Sequence, residues 1–214
     1  MSATIISLPR PRATAFFDGQ NLFHSVKKAF GYSYPNYDAK LLAQTICDIK
    51  DWELTQTRLY TGIHSHTENP LWHHFWSTKI GIFNKRKNTF TYTRQLRYLD
   101  KEIRLPSGAS EIVRVADEKG IDVRIAIDAI TAAFRGDCDV ILLFSQDQDL
   151  SEVATKIRTI NKAQGKFIRI ASAYPKNRSR PHLNRGVDKT DWIPFDRDLY
   201  DPCIDPRDYF PPRP

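Results

Sequence analysis

Four aspartates stand at points where an apolar segment gives way to a helix, and their carboxylates could hold a divalent cation. They are Asp18, Asp122, Asp147 and Asp149. Three or four carboxylates in one place repel each other strongly unless a cation neutralises them. Because the ligands would be hard oxygen atoms with no cysteine nearby, the favoured ion is Mg²⁺ or Mn²⁺ rather than Zn²⁺. Such an ion activates water and stabilises charge on phosphorus, so the chemistry indicated is phosphodiester hydrolysis.

The segment around Asp18 determines where the first carboxylate would lie. An apolar run at 13–17 precedes it and a helix of about 21–30 follows, a pattern typical of strand, turn and helix. Gly19 permits a tight turn, and Asn21 can cap the helix or hold a ligand. Asp18 is therefore expected at the carboxyl end of a strand, where open α/β sheets collect their functional groups.

Further strands and helices alternate along the chain, which predicts a three-layer α/β domain with a mostly parallel central sheet. The predicted strands are about 13–17, 54–63, 89–94, 112–115, 140–144 and 166–171, and the predicted helices are about 21–30, 39–50, 71–82, 122–134 and 150–163. The continuous apolar run at 140–144 fits a central strand covered on both faces. Because parallel strands end at one edge, Asp18, Asp122 and Asp147 are expected to meet there.

Proline content suggests a division of the chain into three parts. Residues 1–12 lack periodicity and are interpreted as a flexible arm, and residues 13–173 form the predicted α/β domain. Residues 174–214 contain many prolines together with several aromatic side chains. That last segment is too apolar for a free linker, so we expect it to pack on the domain as an extension.

Composition restricts the class of protein. The 214 residues are 41% hydrophobic and 27% charged, which fits one α/β domain with an extension. No apolar run approaches the roughly 20 residues of a membrane-spanning helix, and no apolar signal core follows the first arginines. The expected location is the cytoplasm. Three widely spaced cysteines indicate neither a disulfide framework nor a cysteine zinc site.

Positive charge favours an anionic partner such as nucleic acid, since the formal net charge is +7 and the isoelectric point is near 9.3. The densest basic region comprises Lys85, Arg86, Lys87, Arg94 and Arg97. Tyrosines are interleaved with it, and cations for phosphates with rings for bases suit single-stranded nucleic acid. A solvated edge hairpin protected by charge explains the same residues equally well.

Each of the four aspartates also has a purely structural interpretation. Asp18 and Asp147 could stabilise turns through their side chains. Asp122 and Asp149 suit the first turn of a helix, because the helix dipole favours negative charge there. Only convergence of the carboxylates in space separates these interpretations from a metal site.

Two more polar residues are predicted to support the acids without binding the ion. Asp128 lies six residues after Asp122, about 240° around a helix, so the two cannot share a face. It sits in an apolar helix and is interpreted as a partnered supporting group. Ser145, which directly follows the apolar run, is assigned the same role.

Short motifs in three parts of the chain occur in a characteristic order. They are Asp18-Gly19-Gln20-Asn21, then Lys119-Gly120-Ile121-Asp122-Val123 with the later Asp128, and Ser145-Gln146-Asp147-Gln148-Asp149-Leu150. Together they resemble the NYN family, the LabA-like branch of the PIN-domain nucleases. The resemblance implies a PIN-like, Rossmann-like fold and a metal-dependent ribonuclease. It implies metal-binding acids at Asp18, Asp122 and Asp147, with Asp149 and Asn21 assisting. The family often has glycine where this chain has Gln146.

The working hypothesis is hydrolysis of RNA with one or two divalent ions. Asp18, Asp122 and Asp147 would bind metal, and Asp149 would bind metal or orient the attacking water. Asn21 and the basic residues named above would hold the substrate. A non-catalytic RNA-binding or scaffold module is the alternative. DNA is the other substrate considered, since nothing in the sequence clearly reads the 2′-hydroxyl group. Both a monomer and a homodimer remain open.

Overall fold

A parallel β-sheet forms the centre of the computed structural model, which describes residues 9–104 and 108–211. The strands are β1 (Arg12–Asp18), β2 (Glu53–Ile63), β3 (Thr89–Gln95), β4 (Arg97–Arg104), β5 (Ser110–Asp117), β6 (Val140–Phe144), β7 (Arg169–Pro175) and β8 (Asp191–Phe195). Six of them pair in parallel in the order β3-β2-β1-β6-β7-β8. The predicted α/β class with a parallel central sheet is confirmed.

Helices cover both faces of this sheet and produce three layers. They are α1 (Gly19–Phe30), α2 (Ala39–Ile49), α3 (Pro70–Asn84), α4 (Ile121–Arg135), α5 (Ser151–Gln164) and α6 (Arg197–Tyr200). Leu142 and Phe144 of β6 belong to the core beneath α1, α2 and α3, whereas Ile141 and Leu143 belong to the core beneath α4 and α5. The strand is apolar throughout because both of its faces are buried. Among the helices of the described residues, none combines the length and apolar character needed to cross a membrane.

Strands β4 and β5 form a separate antiparallel hairpin between β3 and α4. The predicted strand at 112–115 therefore exists, but it does not lie in the central sheet. Most residues of the hairpin are exposed, and five of the eight residues of β4 are charged. Charged side chains suit a solvated hairpin and would be costly in a sheet that is covered on both faces.

The central sheet contains one strand, β8, that the sequence analysis did not predict. The prediction that the last strand ends near residue 171 is wrong, because β7 extends to Pro175 and β8 pairs with it in parallel. Beyond β8, Tyr200, Cys203 and Tyr209 are buried in the core that α1, α2 and α3 cover. The division into residues 13–173 and an extension of 174–214 stays a prediction. Residues 1–8 of the predicted arm lie outside the described residues.

Candidate active site

Asp18 is the last residue of β1 and the residue that caps the first turn of α1. Its carboxylate accepts a hydrogen bond from the backbone N–H of Asn21 at 3.0 Å and another from the hydroxyl of Ser145 at 3.4 Å. The residue is only 5% exposed. Gly19 allows the start of α1 to lie close against β2, because a Cβ there would be 2.9 Å from the carbonyl oxygen of Tyr60. The first predicted carboxylate is thus fixed at the carboxyl edge of the sheet.

Other acids lie close enough to Asp18 to disturb its ionisation. Burial, together with the charges of Asp147 and Asp122, raises the pKa of Asp18 to about 6. Hydrogen bonds from Asn21 and Ser145 act in the opposite direction without cancelling the effect. The three acids expected to meet therefore share one region and interact electrostatically. A raised acid pKa in such a cluster is typical of functional sites.

Glu118 is a further acid of this region that the sequence analysis did not identify. Burial, together with the charges of Asp18 and Asp122, raises its pKa to about 7. Its carboxylate accepts a hydrogen bond from the backbone N–H of Gly62 at the end of β2. The available signal was its place in the link between a strand and a helix, four residues before Asp122.

The link from β6 to α5 holds Asp147 in place. Ser145 is 2% exposed, and its hydroxyl accepts a hydrogen bond from the backbone N–H of Asp147 at 3.1 Å. Gln146 donates its backbone N–H to the side-chain oxygen of Asn21 at 2.9 Å. Gln146 is not among the described residues with a positive φ, so this turn does not need the glycine common in the family. Ser145 thus contacts both Asp18 and Asp147.

Asp149 and Asp128, the two other predicted acids, have different surroundings. Asp149 is exposed, and its backbone N–H donates to the carboxylate of Asp147 at 3.0 Å. Asp128 accepts a hydrogen bond from the hydroxyl of Tyr60 at 2.8 Å and forms ion pairs with Arg58 and Arg124. These contacts neutralise Asp128 on the α4 side of the sheet. The roles predicted for Asp149 and Asp128 in the metal site stay predictions.

The basic residues divide between opposite edges of the sheet. Lys85, Arg86 and Lys87 precede β3 and so lie at its amino edge, whereas Arg94 lies near its carboxyl end. Seven strand residues separate the two edges by roughly 20 Å, so the first three cannot contact a phosphate held at Asp18. Arg86 is instead bound to both carboxylate oxygens of Asp38, at 2.6 and 2.7 Å.

Arg94 and Arg97 lie on the acidic side of the sheet. Arg94 donates to the carbonyl oxygen of Lys119 at 3.1 Å, next to Glu118. Arg97 is the exposed first residue of β4 and lies opposite Asp117 in the hairpin. Both arginines are placed where a bound polyanion could meet them.

A polar cleft of about 310 Å³ opens beside Asn21. Lys28, His182 and Arg185 contribute to its lining, together with Gln146. The side-chain amide of Gln146 donates to the carbonyl oxygen of Leu183 at 2.9 Å and to that of Arg185 at 2.7 Å. Cationic and amide groups of this kind suit the phosphates of a nucleic-acid strand.

Chemically, the acids fit a hard divalent cation, although they are not gathered into a ready-made set of ligands. Within residues 9–104 and 108–211, no three His, Cys, Asp or Glu side chains form a group that could hold a metal ion. Mg²⁺ commonly binds through one or two carboxylates and keeps several waters. Asp18, with its neighbours Glu118, Asp122 and Asp147, satisfies that requirement in charge and in donor type.

One family model and two solved structures show similarity to this chain. The family model described as the NYN domain matches residues 12–184. A crystal structure of a protein of unknown function from Vibrio parahaemolyticus is 16% identical over 92% of this chain and 99% of that chain, with a TM-score of 0.48. A structure of MurG from Acinetobacter baumannii is 10% identical over 86% of this chain and 45% of that chain, with a TM-score of 0.30. No curated protein matches significantly.

Proposed function

Because this chain belongs to the NYN domain family, we propose that it is a metal-dependent ribonuclease that hydrolyses phosphodiester bonds at the carboxyl edge of its sheet. The observation that supports this most directly is that Ser145 contacts both Asp18 and Asp147, beside which the charges of Asp147 and Asp122 raise the pKa of Asp18. Burying a carboxylate among like charges is costly unless an opposite charge neutralises them. A divalent cation is the partner that would make this arrangement favourable.

The ion would be held by the acids that end the strands and begin the helices. Asp18 would hold it from the end of β1, Asp122 from the start of α4, and Asp147 from the link between β6 and α5. A bound Mg²⁺ or Mn²⁺ would lower the pKa of water and stabilise the charge that develops on phosphorus. Glu118 adds a carboxylate to the same edge and would orient water toward the scissile phosphate.

Substrate would be held on both sides of the acids. Arg94 and Arg97 lie on the β3 side, and the polar cleft with Lys28 and Arg185 lies on the other. Asn21 stands between the two, although its side-chain oxygen already accepts the N–H of Gln146. The side-chain N–H₂ group of Asn21 would therefore be the part of the residue that contacts substrate. Contacts of this kind are to phosphates, so they favour no particular base sequence.

Cleavage of single-stranded RNA by the purified protein, with Mg²⁺ or Mn²⁺ added, tests the proposal. We expect Asp18→Asn to reduce cleavage at least 100-fold while RNA binding is retained. Asp137→Asn is the matched control, because Asp137 is an exposed acid just before β6, at the opposite edge. Unchanged cleavage by Asp18→Asn would overturn the proposal. Binding of RNA without cleavage by the unaltered protein, with either metal, would indicate the non-catalytic alternative.

A further inference from the structure

An aromatic pocket of about 320 Å³ lies on the other side of α1 from the polar cleft. Its lining includes Phe23, His24, Lys27, His64, Trp72 and Trp76. The proposed hydrolysis does not use these residues. A site with several flat rings and one cation has the composition that binds a nucleobase and its phosphate.

The wall of the aromatic pocket lies beside Glu118, and the pocket begins at the first turn of α1, next to Asp18. Leu96 and Ala116 form part of its wall, and Gln20 of the first turn of α1 forms another part. A Cβ on Gly62 would collide with both Leu96 and the carboxylate of Glu118. The carboxylate of Glu118 and the Leu96 side of the pocket wall therefore both lie against Gly62. A chain bound at the acids would therefore have a neighbouring nucleotide at the entrance of the pocket.

Contacts around the aromatic pocket hold its rings in fixed positions. Trp72 packs edge-on against Phe75 and Phe210, with ring centroids 5.2 and 5.4 Å apart. His64 shares a 2.7 Å hydrogen bond between its Nδ1 and the hydroxyl of Tyr98. Rings that are already ordered lose little conformational freedom when a base stacks on them.

Charge in the aromatic pocket is concentrated on one side chain. Burial lowers the pKa of His64, and burial together with Lys28 and Lys27 lowers that of His24, so both imidazoles are neutral hydrogen-bonding groups near neutral pH. Lys27 lies 6.0 Å from the ring centroid of Phe23. This arrangement offers a cation for one phosphate beside neutral groups that can meet a base.

We propose that the aromatic pocket binds one unpaired base of the RNA strand, adjacent to the phosphate at the acids. The proposal rests on the proposed ribonuclease function. A base within a duplex is stacked and paired and cannot enter, so the enzyme would require single-stranded RNA at this position. Stacking on these rings does not select one base, since every base presents a flat face.

Binding measurements in the Asp18→Asn background test the pocket without turnover. Single-stranded RNA oligonucleotides would each carry one abasic nucleotide, moved stepwise along the strand. We expect one position at which loss of the base weakens binding about tenfold, the range for loss of one stacked base. Phe23→Ala and His24→Ala should weaken binding of the intact RNA similarly, and should have little further effect on the RNA that is abasic at that position.

Phe167→Ala is the matched control, because Phe167 is 81% exposed and precedes β7, at the amino edge. Thermal unfolding would confirm that the variants fold. Equal binding of all the abasic strands, equal effects of Phe23→Ala and Phe167→Ala, or no RNA binding at all would each overturn the pocket proposal. Cleavage by the unaltered protein is measured separately. Cleavage without a sensitive position overturns only the pocket, whereas a sensitive position without cleavage overturns only the ribonuclease activity.

Discussion

Asn21 and Gln146 join two parts of the candidate site through one hydrogen bond. The side-chain oxygen of Asn21, in the first turn of α1, accepts the backbone N–H of Gln146 at 2.9 Å. Asp18 precedes that turn of α1, and Asp147 follows Gln146 directly. The bond therefore links the positions of two acids that are distant in sequence. It gives Asn21 a structural role besides the substrate contact predicted from the sequence.

Asn21→Ala should reduce both stability and activity. The substitution leaves the partly buried N–H of Gln146 without its acceptor, which typically costs about 1–3 kcal/mol. Urea unfolding measures the loss in stability, and RNA cleavage measures the effect on the acids. We expect the apparent affinity for Mn²⁺ to fall as well, because Asp147 is then held less firmly. A change in unfolding free energy below about 0.5 kcal/mol, the size of ordinary surface effects, would contradict this role of the bond.

Asp18→Asn should increase stability when no metal is added. At pH 8 the folded protein must ionise an acid whose pKa is raised to about 6 by burial and by neighbouring charges. Each unit of pKa shift corresponds to about 1.4 kcal/mol, so removing the charge should stabilise the protein by roughly 1–3 kcal/mol. Asparagine also keeps the cap of α1. Urea unfolding in the presence of a chelator measures the gain.

Glu118→Gln is the second member of the same test. It should also stabilise the metal-free protein at pH 8, because the raised pKa of Glu118 has the same origin. The control Asp137→Asn should change the unfolding free energy by no more than about 0.5 kcal/mol. Loss of stability in both acid variants would mean that the carboxylates stabilise the fold rather than oppose it.

Mn²⁺ should stabilise the unaltered protein and stabilise Asp18→Asn much less. A ligand that binds only the folded state adds about 2.7 kcal/mol at 100 times its dissociation constant. Neutralisation of the coupled acids would be the source of this gain. Thermal unfolding across a Mn²⁺ titration measures it, with Ca²⁺ as a comparison ion. Equal shifts in the two proteins would place the bound ion elsewhere.

Sequence patterns predicted the sheet and the edge at which three acids lie. The all-apolar run at 140–144 and the acid after 13–17 were sufficient, because burial on both faces and chain direction determine these features. Glu118 was missed since an isolated glutamate in a link has no periodic signal. The phase of α4 was not predicted either. Val123 and Ile127 are exposed, whereas Ile125 faces the sheet.

Closeness in sequence did not predict where the basic residues 85–87 and Arg94 lie relative to the acids. Residues 85–87 are close to Arg94 in sequence, but β3 carries the chain from one edge of the sheet to the other between them. The predicted parallel strand at 89–94 already implied this separation, but the cations were grouped by their closeness in sequence alone. The contact of Arg86 with Asp38 likewise depends on the packing of α2 against β2.

Lys79 should make stability depend on pH in the alkaline range. This lysine is 5% exposed and donates to the carbonyl oxygen of Tyr37 at 2.9 Å. Burial lowers its pKa to about 8, although Asp205 and Asp38 act in the opposite direction. Between pH 8 and the ordinary lysine pKa near 10.4, the unfolded chain binds more protons than the folded one. The contribution of Lys79 to stability therefore rises with pH in this window.

Comparison with Lys79→Met isolates that contribution from other groups that titrate above pH 9. The unfolding free energy of the unaltered protein minus that of the variant should increase by about 1–3 kcal/mol between pH 7 and pH 10. Denaturant unfolding at several pH values gives the difference directly. A difference that stays constant or falls with pH would show that the lysine keeps its charge in the folded protein.

Gln146→Gly would introduce the glycine that is common at this position in the family, and it should loosen the wall of the polar cleft. The side-chain amide of Gln146 supplies two hydrogen bonds, to the carbonyl oxygens of Leu183 and Arg185. Their loss, together with the greater freedom of glycine, should cost about 1–3 kcal/mol. Hydrogen exchange in residues 183–188 should become faster than in the rest of the protein. Gln146→Ala is the comparison, because it removes both side-chain hydrogen bonds and keeps the backbone restricted. Gln44→Gly would not serve as a control, because Gln44 lies in the interior of α2, where glycine is itself destabilising. If Gln146→Ala leaves exchange in 183–188 unchanged, the segment is held by Gln148, which donates to the carbonyl oxygen of Gly186 at 3.1 Å.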